Sequence, residues 1–294
     1  MEQKFIIANG INFHYRIMGA GKPIILLHAS PRSGKMLENL GKMLAESFLV
    51  IIPDLPGYGF SEAIPQKVKN LYEVVPYLNA LLEALSLEKV SIYGTATGAQ
   101  LGIAYALIYP EKFEHLFLDN PAHFSEEEYQ NISENYFIDL NPKSDGSHLI
   151  NLWNHVQQSM MYFPWYDHSE EAQFSKIIPP DAVVADTVKE YLVAGERYHE
   201  LYRAAFLHER VNKIQQLTVP TIIFKWKASI LLKYIDRLLA FELPENISVV
   251  ETEKDMTERY LKMVEVIKAV CATQSEFGFV RFKDLLDSTE RKFY

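Results

Sequence analysis

The sequence predicts an α/β protein: a mostly parallel central sheet flanked by helices, with a helical cap inserted before the sheet is complete. Two observations carry this reading. Short runs that are apolar throughout recur between helical patterns over the first 120 residues, as expected for strands covered on both faces. Strand signals then stop near Phe124, aromatic-rich helical patterns replace them, and strands return after Gln215.

The elements follow in order. Ile24–Leu27, Leu49–Pro53, Val90–Tyr93 and His115–Asp119 read as strands, with Lys35–Ser47, Leu71–Leu85 and Ala96–Tyr109 as the helices between them. Residues 124–211 form the expected cap, in which Asp186–Phe206 is the clearest helical pattern. Thr218–Phe224 and Ile247–Val250 resume the sheet, and an amphipathic helix follows near Met256–Val270. The core is thus expected over 1–123 and 212–270. The tail, 271–294, mixes Phe277, Phe279, Phe282 and Phe293 with charges and could pack on the core or on a partner.

Composition narrows the functions. With 29 Lys+Arg against 38 Asp+Glu the formal charge is −9, which argues against nucleic acid or an anionic membrane as the main partner. The apolar runs are strand-sized, far below the roughly 18–20 residues that span a bilayer. The N-terminus carries neither a secretory nor a transit pattern, so a cytoplasmic location is expected. The single cysteine, Cys271, can form no internal disulfide and no Cys-based metal site. No metal-ligand spacing is present, and Gly57, Gly59, Gly94 and Gly98 do not make a nucleotide-binding fingerprint. A small-molecule ligand or substrate, no metal and no cofactor are therefore expected, with a homodimer left open.

Three motifs stand at strand ends. They are His28-Ala29-Ser30-Pro31-Arg32-Ser33-Gly34, Asp54-Leu55-Pro56-Gly57-Tyr58-Gly59-Phe60-Ser61, and Gly94-Thr95-Ala96-Thr97-Gly98 leading into a helix. Together they resemble the α/β-hydrolase superfamily, and the third has the shape of its Gly-x-Ser-x-Gly nucleophile elbow. Here the elbow residue is Ala96, whose methyl group cannot attack a carbonyl. The position expected for the triad acid holds Ser229, and Asp255 stands near the position expected for the histidine. No histidine follows His208, so a triad in the order Ser, Asp, His cannot be built. The runs Ser30-Pro31-Arg32-Ser33, Thr97-Gly98-Ala99, Asp145–Leu149, Phe163-Pro164-Trp165-Tyr166 and Tyr198–Phe206 are similar to a little-characterised bacterial subfamily of α/β-fold hydrolases. That resemblance implies an elbow that often carries His in place of Ser, a pattern from which Ala96 departs.

The remaining chemistry can be assigned residue by residue. The resemblance implies oxyanion donors at the N–H groups of Thr97 and of Ala29 or Ser30, near a helix N-terminus that favours negative charge. It also implies a structural role for His28. Ser30 is a donor, a helix cap or an alternative nucleophile. Arg32 could fork onto a carboxylate or phosphate, or simply tether its loop. Asp119 could orient His123, which is counted among the substrate-binding candidates with Ala96. In the cap, His148 and His199 are candidate acid–base residues. Trp165, Tyr166 and Tyr202 offer flat faces with polar handles to an aromatic or acyl ligand, although cap packing explains such residues equally well. Two functions follow: an enzyme doing non-covalent acid–base chemistry or atypical hydrolysis without the triad, or an inactive ligand-binding relative.

Overall fold

The computed structural model describes residues 1–272 of the 294. The tail, from residue 273 onward, lies outside the described residues.

Eight strands form one sheet in the order β1-β2-β4-β3-β5-β6-β7-β8. Strands β3 (Lys22–Leu27), β4 (Phe48–Pro53), β5 (Val90–Thr95), β6 (Phe113–Asp119), β7 (Thr221–Trp226) and β8 (Ile247–Thr252) run parallel. The first two, β1 (Glu2–Ala8) and β2 (Ile11–Met18), form an antiparallel hairpin on the β4 edge. Sequence reading did not anticipate this hairpin. The turn residues Asn9 and Gly10 have φ of 47° and 79°, and an Asn-Gly pair between strand-length runs is a strong local signal for such a turn.

Side chains alternate across the sheet, and each face has its own core. Ile25, Leu27, Ile92 and Leu116 pack under α2 (Val75–Ala84) and α3 (Thr97–Ile108). Ile24, Leu26, Tyr93 and Phe117 pack toward α1 (Glu38–Leu44) and α10 (Met256–Ala272). The pattern Lys35–Ser47 is a short 3₁₀ turn followed by α1 rather than one helix.

Between β6 and β7 the chain inserts α4 (Glu126–Asn135), α5 (Ser147–Ser159), α6 (Asp181–Ala194) and α7 (His199–His208), then a short α8 (Val211–Ile214). A capping box starts α4: Glu128 N–H donates to Ser125 Oγ while Ser125 N–H donates to the Glu128 carboxylate. The helical pattern over Asp186–Phe206 falls in two helices, α6 and α7, parted at Gly195, whose φ of 69° suits glycine. Helix α9 (Leu232–Leu239) lies between β7 and β8. An aromatic cluster of Phe124, Tyr136, Phe163, Phe206 and Tyr234 joins the insertion to α9. Among the described residues no helix is long and apolar enough to cross a membrane.

Candidate functional site at the β5–α3 elbow

The C-terminal ends of parallel strands are where α/β sheets place their sites. Strand β5 turns into α3 through Ala96, which sits at φ 46° and ψ −112°, a sparsely populated conformation for a residue with a Cβ. The turn is tight because its neighbours are glycines. A Cβ on Gly94 would lie 2.3 Å from Gly98 O, and one on Gly98 would lie 2.1 Å from Leu27 O. The backbone is locked from below, since Ala96 N–H donates to Asp119 O at 3.1 Å and Gln100 N–H to Ala96 O at 3.0 Å. Ala29 and Ala96 keep exposed surface, whereas Ser30, Thr97 and Gly98 around them are buried. The elbow therefore opens outward at its apex.

The loop after β3 closes against this turn. His28 is fully buried; its Nε2 accepts Leu55 N–H at 2.8 Å, which leaves Nδ1 to donate to Ala29 O at 2.9 Å. Burial lowers its pKa and keeps it neutral. Its role is to shape the loop. Ser30 N–H points at Thr97 Oγ1, 3.2 Å away, so one of the expected oxyanion donors is already engaged by a side chain. Ser30 is buried, and its side chain lies within reach of the Tyr58 hydroxyl. Thr97 begins α3, and its N–H belongs to the first turn, where no acceptor exists within the helix.

Arg32 is tethered rather than free. It pairs with Glu190 of α6, and Ser33 Oγ donates to the same carboxylate at 2.9 Å. Tyr58 OH donates to Tyr198 O at 2.6 Å. These contacts hold the insertion over the two core loops. Beneath them Asp54 ties the loops together: it accepts Gly34 N–H and Phe60 N–H and meets Arg16 and His14 of β2.

The triad positions hold other interactions. Ser229 Oγ accepts Leu231 N–H in a turn, and Asp255 Oδ1 accepts the N–H groups of Thr257 and Glu258 at the start of α10. The expectation that Asp119 orients His123 is corrected. The Asp119 carboxylate receives Tyr93 OH at 2.7 Å and Nη2 of Arg259 at 2.5 Å on each oxygen. Burial opposes the charge of Arg259, but Asp119 more than offsets it and raises its pKa. Its guanidinium lies over Trp226, 4.4 Å from the ring centre. His123 instead accepts Val211 N–H and stands edge-on to Phe241, at the junction of insertion and core.

The insertion's candidates are dispersed. Half-buried His148, in the first turn of α5, accepts Lys143 N–H of the preceding loop, and His199 meets Glu196 O at 3.0 Å while its ring packs by Phe137 and Tyr198. Among the described residues neither has a hydrogen bond to Ala29, Ser30, Ala96 or Thr97. Tyr202 shares a hydrogen bond with Tyr136 and stacks on Phe206. Trp165 and Tyr166 line a separate recess within the insertion. Residues missed by sequence reasoning are Arg259 and Tyr93, 140 and 26 residues from Asp119, since nothing local marks such partners, and the buried polar groups at the α3–α7 seam. There His208 Nδ1 meets Gln100 Oε1 at 2.9 Å, while Glu209 Oε2, Gln100 Nε2 and His208 Nε2, and Asn120 Oδ1 just after β6, are buried without partners among the described residues. No group of three or more His, Cys, Asp or Glu among the described residues could hold a metal ion.

Comparison with known proteins agrees with this architecture. The α/β hydrolase fold family model matches residues 22–217. An uncharacterized hydrolase of Saccharomyces cerevisiae is 37% identical over 129 residues, 42% of this chain and 43% of that protein. The 2-hydroxy-6-oxo-2,4-heptadienoate hydrolase of Pseudomonas putida is 29% identical over 118 residues, 39% of this chain and 43% of that protein. The chain thus spans less than half the length of these curated relatives. The enol-lactonase of Burkholderia xenovorans LB400 superposes with a TM-score of 0.67 at 18% identity, covering 92% of this chain and 100% of the other. With the strand order, the elbow and the family match in agreement, the chain belongs to the α/β hydrolase fold family.

Proposed function

We propose that this protein binds a small molecule at the β5–α3 elbow and does not hydrolyse it through a covalent intermediate. One observation carries the reading: the elbow is intact in backbone, strained apex included, yet its apex is the methyl of Ala96. The neighbouring groups support it. Ser30 N–H is turned to Thr97 Oγ1, and Asp119 is spent on Arg259 and Tyr93. The N–H of Thr97 in the first turn of α3 still suits recognition of a polar ligand group, and family membership alone does not select a reaction.

A second reading keeps catalysis, with His148 or His199 as acid or base in a lyase-like or water-mediated step. What favours it is that burial lowers the pKa of His199, so its imidazole is neutral near pH 7 with a ring nitrogen able to accept a proton.

The test is retention. The protein is mixed with a metabolite extract, desalted and denatured, and the released small molecules are identified by mass spectrometry. A compound retained at close to one per chain, and lost in Ala96→Phe, supports the elbow as a binding site. Retention unaffected by Ala96→Phe refutes it.

A further inference from the structure

The insertion holds a recess of about 530 Å³ whose lining includes none of the elbow residues. That volume is within the range of small-molecule sites. One wall is a single face of α5: Asn151, Asn154, His155 and Gln158 recur at the spacing of helix neighbours. Beside that face the lining carries the rings of Trp165 and Tyr166, with the Trp165 indole against His155.

The polar groups on this wall are unspent. No hydrogen bond engages the side-chain amides of Asn151, Asn154 or Gln158 among the described residues. His155 is 1% exposed; its Nε2 meets Tyr191 OH at 2.9 Å, and its Nδ1 is buried without a partner among the described residues. The rings, in contrast, are fixed. Trp165 Nε1 donates to Tyr136 O at 2.8 Å, and its indole stands edge-on to His155 with centres 4.6 Å apart. A fixed aromatic surface next to a row of amides matches a flat ligand with one polar edge, because the rings cover its apolar face while the amides can donate to or accept from its polar edge.

We infer that this recess is a second ligand site, which takes an aromatic ring bearing an amide or carboxyl group, with the ring on Trp165 and Tyr166 and the polar edge on Asn154 and Gln158. Lys143 and Asp139 both line the recess and bear on the choice of edge, since the ammonium favours a carboxylate and the Asp139 carboxylate favours an amide. This site does not depend on the elbow reading.

The full chain is titrated calorimetrically with benzamide and with benzoate, and with cyclohexanecarboxamide as the non-aromatic control. Saturable binding of an aromatic probe is expected, weakened about ten-fold or more by Asn154→Leu and by Gln158→Leu. Both changes lie on a solvent-reached face, so the thermal midpoint is expected to hold, and a circular dichroism melt checks it. Ala96→Leu is expected to leave the affinity unchanged. Tighter benzoate binding that falls only for benzoate in Lys143→Gln assigns the carboxyl edge; equal binding of the two assigns the amide edge. No binding of either aromatic probe, equal binding of the cyclohexane control, or loss on Ala96→Leu alone overturns the inference.

Discussion

Nη2 of Arg259 lies 2.5 Å from both carboxylate oxygens of Asp119, joining the first turn of α10 to the end of β6 directly beneath the elbow. The main chain of the same aspartate receives Ala96 N–H. One residue therefore supports the elbow backbone while its charge is neutralised by a buried cation. Removing Arg259 leaves a buried carboxylate with only Tyr93 OH, so Arg259→Met is expected to cost about 3–5 kcal/mol. Urea unfolding measures it, and a loss below about 1 kcal/mol contradicts the role assigned to the pair.

Ala96→Ser restores a hydroxyl at the apex but supplies no base. Ser30 on the loop after β3 carries a hydroxyl and no base, and His28 is already fully used by Leu55 N–H and Ala29 O. Release of nitrophenol from p-nitrophenyl acetate by Ala96→Ser is accordingly expected to match the parent chain. A gain of about a hundred-fold or more means that a general base faces position 96.

Glu190 bolts α6 to the loop after β3 through Arg32 and Ser33. Arg32 is about one-third exposed, so the pair is weak in global terms, with about 1 kcal/mol or less expected for Glu190→Gln. The local effect is larger. Amide exchange across 181–208 should speed up in the variant while that of β3 and β5 does not.

Burial holds the Glu209 carboxyl well above the usual range, up to about 8, against a smaller opposing pull from Arg210. In the unfolded chain it ionises near 4.5, so the folded state holds a proton that the unfolded state has lost between those values. Its contribution is intact below about 4.5 and is lost as pH rises through about 8. Glu209→Gln is expected to be more stable than the parent by roughly 2 kcal/mol or more at pH 9 and nearly equal at pH 5. Equal stability at both pH values would show that Glu209 ionises freely in the folded protein.

The parallel strands were legible because strands such as Ile24–Leu27 are buried on both sides and can only be apolar throughout. The elbow was legible because Gly94 and Gly98 each stand where a Cβ would strike backbone. The hairpin β1–β2 was not, because Glu2–Ala8 buries only Ala8 and its apolar pattern is faint; the Asn9-Gly10 turn was the better signal. The break at Gly195 interrupts a pattern that stays apolar on both sides, so periodicity read through it. Side-chain partnerships explain the rest. Arg32 meeting Glu190 and Asp119 meeting Arg259 span 158 and 140 residues, and such distances leave no local trace in the sequence.

The measurement that tests the central claim most directly is a time course of the retained compound, held in about hundred-fold excess over the protein and followed by mass spectrometry with Ala96→Phe alongside. Binding without turnover predicts that the total compound, bound and free, stays constant and is recovered unchanged. Steady depletion beyond one equivalent by the parent chain, with a new product and none in Ala96→Phe, would contradict it and assign catalysis to the elbow.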